Sequence, residues 1–202
     1  MIQRILCVLM LMLPAAGFAA TIMVYGDSLS AGYGLPQQAG WTNLLPQRLH
    51  DDSFDYKVVN ASISGETTLG GKNRIAQALS AHQPAIVILA LGANDGLRGH
   101  NLETVRANLD AIIQACSKRN ARVLLVGMRL PPNYGAAYTE KFHGIFRTLA
   151  QRRQLPLVPF LLDGFADNAA LFQADGIHPT AQAQPLILEN VWKILRPLLK
   201  RQ

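Results

Sequence analysis

Cysteine, charged residues and long apolar runs are all scarce in this sequence. The 202 residues include two cysteines, and only 16% of the chain is charged. A fold held together by a disulfide framework is therefore excluded. The hydrophobic content of 50% is too high for a disordered chain. The only long apolar run lies at the amino terminus, which excludes a multi-span membrane protein and leaves one medium-sized globular domain.

Residues 1–19 have the pattern of a secretory signal peptide. Arg4 supplies the positive charge, residues 5–13 are apolar, and Pro14 ends the apolar run. Gly17 and Ala19 are the small residues expected just before a cleavage site, so we expect cleavage after Ala19. The mature protein would then be a single domain over residues 20–202, located in the periplasm or secreted. An uncleaved amino-terminal anchor remains the alternative.

The positive net charge of +6 favours anionic partners such as acidic ligands or membrane surfaces. The basic residues are nevertheless scattered, and we expect no binding of nucleic acid. The one mild cluster comprises Lys193, Arg196, Lys200 and Arg201. We interpret it as the solvated face of a last helix, with transient contact with a membrane surface as the alternative.

Short apolar runs alternate with amphipathic stretches along the rest of the chain. The apolar runs predict strands at residues 21–25, 57–60, 85–91, 122–127 and 155–159, and the helical patterns cover 42–51, 69–82, 102–120, 136–154 and 180–199. The runs at 57–60, 85–91 and 122–127 predict buried strands, because they are apolar at nearly every position. This alternation predicts an α/β fold with a parallel sheet that is covered by helices on both faces.

Three Gly-punctuated polar loops follow the first three predicted strands. They contain Gly26-Asp27-Ser28-Leu29-Ser30, Asn60-Ala61-Ser62-Ile63-Ser64-Gly65-Glu66 and Gly92-Ala93-Asn94-Asp95-Gly96. Ligands of open parallel sheets bind at the carboxyl ends of the strands, so we expect these loops to meet at one site. A fourth segment, Asp175-Gly176-Ile177-His178-Pro179, precedes the last helical pattern.

These loops contain the groups needed for acyl transfer through a hydroxyl nucleophile. Such chemistry needs a nucleophile, a base, a carboxylate that orients the base, and donors for an oxyanion. Ser28 can be presented on a tight strand-to-helix turn, and His178 is the candidate base. Asp175 lies three residues before His178 and can fix its tautomer. The candidate oxyanion donors are the backbone N–H groups of Ser28 and Gly65 and the side-chain amide of Asn94.

The sequence blocks GDSLS, GAND and DGIHP, with a glycine after the second strand, resemble the four signatures of the SGNH (GDSL-type) hydrolase superfamily. The stretches NASISGET, NDGLRG and RLPPNYG are similar to its bacterial branch of thioesterase I, protease I, lysophospholipase L1 and arylesterase. The resemblance implies a flavodoxin-like, three-layer α/β/α fold with a five-stranded sheet of order 2-1-3-4-5. It also implies the same nucleophile, triad and oxyanion donors, and hydrolysis of acyl thioesters, lysophospholipids and carboxylic esters.

The residues that would bind the acyl substrate are less clearly defined by the pattern. Candidates are Leu97, between two glycines of a loop that can close over a chain, and Arg129, Pro131 and Tyr134 further along. Ordinary loop packing is the alternative for each. Asp27 is a further candidate, either by holding the nucleophile loop or as a simple helix cap. No pair of histidines has zinc-ligand spacing, so we expect no metal and no cofactor. We also expect a monomer.

Two other functions are compatible with the sequence. The superfamily also contains acetylesterases that act on polysaccharides, and a chain of this fold can bind acyl groups without catalysis. Preference for acetyl over longer acyl groups would favour the first. Failure of the folded protein to react with a fluorophosphonate would favour the second.

Overall fold

The computed structural model describes residues 19–201. Apart from Ala19, the predicted signal peptide lies outside the described residues and remains a prediction. The strands are β1 (Ala20–Gly26), β2 (Tyr56–Asn60), β3 (Ile86–Ala90), β4 (Arg122–Val126) and β5 (Leu157–Val158). The helices are α1 (Ser28–Ala31), α2 (Trp41–Asp51), α3 (Thr68–His82), α4 (Ala93–Leu97), α5 (Leu102–Lys118), α6 (Ala136–Arg153) and α7 (Gln184–Leu195).

The strands form one five-stranded parallel sheet in the order β2-β1-β3-β4-β5. The predicted fold class and strand order are therefore confirmed. One detail of the prediction is wrong, because β2 is not buried on both faces. It lies at the edge of the sheet, where Lys57 and Asn60 are exposed and Val58 and Val59 are only partly covered.

Helices cover both faces of the sheet, as the continuous apolar strands predict. Successive residues of β1 point to opposite faces. Ile22 and Val24 pack in a core with α2 and α7, whereas Met23 and Tyr25 pack in a second core with α3, α5 and α6. The result is a three-layer arrangement whose strands all end at the same edge.

The last helix begins later than its sequence pattern predicts. Residues Ala181–Ala183 form a 3₁₀ turn, and α7 begins at Gln184 with Pro185 in its first turn. The Gln184 side chain accepts a hydrogen bond from the backbone N–H of Trp41 at 3.0 Å, which joins α7 to the start of α2. The backbone N–H groups of the first helical turn have no acceptor within the helix, so proline, which lacks this N–H, is tolerated there. The position of Pro185 therefore fits a helix that starts at Gln184.

The basic cluster near the carboxyl terminus is only partly solvated. Arg196 pairs with Asp52 at 3.3 Å, and the Arg201 guanidinium lies 5.9 Å from the centre of the Phe54 ring. Contact with a membrane surface therefore stays a hypothesis. Within residues 19–201, no helix combines the length and the apolar character needed to cross a bilayer.

Candidate active site

The turn between β1 and α1 presents Ser28 at the carboxyl edge of the sheet. Asp27 caps α1 by accepting a hydrogen bond from the N–H of Leu29 at 3.1 Å. A side chain at Gly26 would place its Cβ 2.8 Å from the Ser30 hydroxyl and 3.0 Å from the Ala90 carbonyl oxygen. Only glycine fits this turn, which sets the sharp change of direction that exposes the Ser28 hydroxyl.

His178 lies between Ser28 and Asp175. Its Nε2 is 2.9 Å from Ser28 Oγ, and its Nδ1 is 2.7 Å from Asp175 Oδ2. An ionised carboxylate can only accept hydrogen bonds, so Nδ1 carries the proton and Nε2 is the acceptor for the serine hydroxyl. The structure therefore brings together the three side chains that the sequence indicated, although Ser28 and His178 are 150 residues apart in the chain.

The Asp175 carboxylate is held by its own loop. Its Oδ1 accepts hydrogen bonds from the backbone N–H groups of His178 at 3.0 Å and Ile177 at 2.9 Å. Together with the His178 side chain, these donors lower the pKa of Asp175 to about 2. The carboxylate is consequently charged at neutral pH and fixed in the orientation that the imidazole needs.

The candidate oxyanion donors lie on the two neighbouring loops. Gly65 has a φ of 78°, a conformation that favours glycine. The amide of Asn94 donates one hydrogen bond to the carbonyl of Glu66 at 3.0 Å, which leaves its second N–H available to a ligand. Arg98 donates to the Gly65 carbonyl at 3.2 Å and ties this loop to the end of α4.

Asp95 fixes α4 and therefore the position of Asn94. It is 2% exposed and accepts hydrogen bonds from both the backbone N–H and the hydroxyl of Thr68, each at 2.8 Å. Asn108 donates to the same hydroxyl at 3.3 Å. In the sequence Asp95 is next to the candidate donor Asn94, but no pattern indicates that Thr68 contacts Asp95 or that Asn108 contacts Thr68.

A groove of about 820 Å³ opens beside this site. Most of the residues that line it are apolar: Ala93, Leu97, Met128, Leu130, Pro131, Pro132, Phe160, Leu162, Phe165, Ala166, Phe172 and Ile177. The polar side chains of Asp163, Asp167 and Asn168 line it as well. Arg129 also lines it, with its guanidinium 5.4 Å from the centre of the Phe160 ring. Three predicted substrate-binding residues, Leu97, Arg129 and Pro131, thus border the groove.

The other two predicted substrate-binding residues do not border the groove. Tyr134 uses its hydroxyl to donate to the Leu97 carbonyl at 3.2 Å, so it supports the wall from outside. Asp27 is only 2% exposed and lies beneath the Ser28 turn. The hydrogen bond from the Leu29 N–H makes Asp27 a helix cap, which also fixes the turn that carries Ser28, and its burial does not support direct contact with a substrate. A Cβ added at Gly96 would lie 2.8 Å from both Leu130 and Phe142. Gly96 is therefore closely packed within α4 and does not act as a hinge.

Burial of Asp27 predicts a pH-dependent cost in stability. Burial raises the pKa of this carboxyl from 3.8 to about 7, although the Leu29 N–H and the nearby His178 oppose the shift. The pKa of Asp27 is higher in the folded than in the unfolded protein. Its contribution to the free energy of unfolding is therefore complete below about pH 4 and is lost as the pH rises through 7. Asp27→Asn keeps an oxygen for the Leu29 N–H and has no charge to bury. It should raise the free energy of unfolding by roughly 3–4 kcal/mol at alkaline pH.

The measurement is the thermal midpoint of both proteins at pH 5 and at pH 9. The gain of the asparagine variant should be clearly larger at pH 9, by several degrees. An equal gain at both values would show that the effect does not come from ionisation.

The described residues include no group of three His, Cys, Asp or Glu side chains that could hold a metal ion. Cys116 lies on the buried face of α5, and burial raises the pKa of its thiol to about 12. The thiol is therefore a packing group without nucleophilic character at neutral pH.

A parallel α/β sheet with a Ser-His-Asp triad at its carboxyl edge defines a serine hydrolase. The sequence profile of the GDSL-like Lipase/Acylhydrolase family matches residues 24–185, which cover the end of β1, the other four strands, the triad and all three strand-end loops. The chain belongs to this family.

Named relatives agree over nearly the whole chain. Esterase TesA of Pseudomonas aeruginosa is 46% identical over 193 residues, which cover 96% of each chain. Thioesterase 1/protease 1/lysophospholipase L1 of Escherichia coli K12 is 41% identical over 184 residues, covering 91% of this chain and 87% of the relative. A crystal structure of TesA superposes with a TM-score of 0.87 at 47% identity, covering 89% of this chain and 99% of that one.

Proposed function

We propose that this protein hydrolyses carboxylic esters and thioesters of acyl substrates through an acyl-Ser28 intermediate. The observation that carries the proposal is the continuous hydrogen-bonded row Ser28–His178–Asp175, with distances of 2.9 and 2.7 Å. Family membership and the names of the relatives, which include an esterase, an arylesterase and a thioesterase, support the same reaction class.

Acylation begins with attack of Ser28 Oγ on the acyl carbon. The hydroxyl proton passes to His178 Nε2, and the ionised Asp175 stabilises the imidazolium that forms. The negative oxygen of the tetrahedral intermediate would lie against the N–H groups of Ser28 and Gly65 and the free N–H of Asn94. Collapse of the intermediate expels the alcohol or thiol, which takes the proton from Nε2.

Deacylation repeats these steps with water as the nucleophile. His178 accepts a proton from the water, which attacks the acyl carbon, and then returns it to Ser28 Oγ as the acid leaves. No step needs a metal or a cofactor, so addition of a chelator should leave the rate unchanged.

The groove favours acyl groups longer than acetyl. Its volume is within the range typical of sites that enclose a whole small-molecule ligand, and most of the side chains that line it are apolar. Each methylene moved from water into such a wall favours binding by about 0.8 kcal/mol. The alternative of a polysaccharide acetylesterase has no comparable support, because a groove of this kind offers an acetyl group little extra contact.

A chain-length series with p-nitrophenyl esters and acyl-CoA thioesters tests the proposal. We expect kcat/KM to rise from acetyl to medium-length acyl groups on both substrate classes. A maximum at acetyl would instead assign the protein to the acetylesterases. A fluorophosphonate probe should label the wild-type protein and not Ser28→Ala, and failure to label the folded wild-type protein would indicate a non-catalytic acyl-binding protein.

We further propose that the protein is exported and acts as a monomer in the periplasm or outside the cell. The support is the sequence pattern of residues 1–19, which lies almost wholly outside the described residues. The mass of the protein recovered from a periplasmic fraction should correspond to residues 20–202, and sedimentation should give a single monomeric species. A mass that retains residues 1–19 would favour the uncleaved anchor.

A further inference from the structure

Tyr33 lies against the candidate catalytic base although no feature of the sequence pointed to it. The centres of the Tyr33 and His178 rings are 4.5 Å apart, and the ring planes are inclined by 39°. Tyr33 is 52% exposed, so this contact is not a consequence of core packing. One surface of the imidazole is thus covered by an aromatic ring, while Ser28 and Asp175 occupy its two nitrogen atoms.

The backbone of Tyr33 is anchored to the nucleophile. The N–H groups of Gly32 and Tyr33 both point to the carbonyl oxygen of Ser28, the latter at 3.3 Å. Gly32 has a φ of 80°, which turns the chain sharply at the end of α1. The short α1 therefore carries Ser28 at its start and sets the position of the Tyr33 ring at its end.

Gln173 joins the Tyr33 loop to the segment that carries His178. Its side-chain amide donates to the Tyr33 carbonyl at 2.9 Å and to the Pro179 carbonyl at 3.2 Å. Its backbone N–H donates to the His178 carbonyl at 2.8 Å. Gly34 has a φ of 70°, which favours glycine, and a Cβ there would overlap the Gln173 side-chain oxygen in its present position.

We infer that Tyr33 is a positioning residue that holds the His178 ring and stabilises its protonated form. The inference rests on the proposed function, in which His178 becomes an imidazolium during acylation. The electron-rich face of a tyrosine ring attracts a cation at this separation, and the attraction is larger for imidazolium than for neutral imidazole. The Tyr33 ring therefore stabilises His178 most once the proton has passed from Ser28 to the imidazole. This stabilisation lowers the barrier to acylation.

Few ionisable groups other than Tyr33 lie close enough to His178 to affect its protonation. Asp175 contacts Nδ1 directly, and the buried carboxyl of Asp27 lies beneath the Ser28 turn and interacts with His178 through space. From the α1 side the facing groups are the Ser28 hydroxyl and the Tyr33 phenol ring. Burial raises the pKa of Asp27 to about 7, so this group also titrates near neutral pH. Both carboxyl groups stay in place in variants of Tyr33, so a difference in pH dependence between a variant that keeps the aromatic ring and one that lacks it is assigned to the ring.

The test compares Tyr33→Leu with Tyr33→Phe, which keeps the aromatic face. Tyr33→Leu should lower the plateau value of kcat/KM by about 3- to 30-fold and move the acidic limb of its pH profile to lower pH by about half a unit. Tyr33→Phe should stay within about twofold of wild type in both quantities. Leu186→Ala, which removes an exposed apolar side chain on α7, is the matched control and should change neither.

Three results would overturn the inference. These are an unchanged acidic limb in Tyr33→Leu, equal losses in Tyr33→Phe and Tyr33→Leu, and a loss confined to one acyl group, which would indicate a substrate contact. Circular dichroism confirms that the variants are folded.

A second measurement does not depend on turnover. In Ser28→Ala, the ¹³C chemical shift of the labelled His178 ring is followed against pH, with and without Tyr33→Leu. The titration midpoint should fall when the ring is lost, and an unchanged midpoint would refute the inference even if the proposed reaction stands. Activity retained in Ser28→Ala would refute the reaction itself.

Discussion

Replacing Ser28 by alanine is expected to lower kcat for p-nitrophenyl esters and acyl-CoA thioesters by several orders of magnitude. Loss of the nucleophile in serine hydrolases costs on the order of 10⁶-fold, because the covalent route disappears. KM should change little, since the groove is lined by other residues. Initial rates with both substrate classes, measured at high enzyme concentration, provide the test.

The double variant Ser28→Ala/His178→Ala makes this prediction sharper. Nε2 and Oγ are in direct contact at 2.9 Å and act on the same proton. Removing the second group should therefore add almost nothing to the loss caused by the first. Two independent losses that multiply would show that His178 does not work through Ser28, and near-wild-type activity in Ser28→Ala would refute the mechanism.

The sheet and the triad were predictable because local patterns determine them. Buried parallel strands require apolar residues at consecutive positions, as in Ile86–Ala90, and the carboxyl ends of such strands meet at one edge. Asp175 and His178 are three residues apart, so their contact depends on a single loop. Placing His178 next to Ser28 needed the family resemblance as well, because nothing local fixes a contact over 150 residues.

The parts that the sequence did not predict depend on contacts between distant segments. Gln173 contacts Tyr33 across 140 residues, and no periodicity or spacing marks either side chain as part of the site. The burial of Asp27 depends on the elements packed around the Ser28 turn, whereas its capping role is visible in the sequence. The apolar pattern of residues 57–60 does not show that β2 lies at an edge, whereas the strand order that the family resemblance implies does.

Asp175→Asn is expected to cause a large loss of activity, although a smaller one than the loss of the nucleophile. The two backbone N–H groups of Ile177 and His178 need an acceptor, so the amide oxygen of asparagine should take the place of Oδ1. The amide NH₂ must then face Nδ1. Because the NH₂ group is a hydrogen-bond donor, Nδ1 can pair with it only as an unprotonated acceptor. Nε2 becomes the protonated nitrogen and can no longer accept the proton of Ser28. A change of tautomer of this kind lowers kcat by about 10⁴-fold.

Asp175→Ala is the matched control for this argument, because it removes the carboxylate without forcing a tautomer. The imidazole can still present an unprotonated Nε2 for part of the time, so kcat of the alanine variant should equal or exceed that of the asparagine variant. The comparison requires kcat at saturating p-nitrophenyl ester and circular dichroism to confirm folding. If asparagine supported much faster turnover than alanine, the carboxylate would serve to hold the loop rather than to select the tautomer, since asparagine preserves the loop's hydrogen bonds and alanine does not.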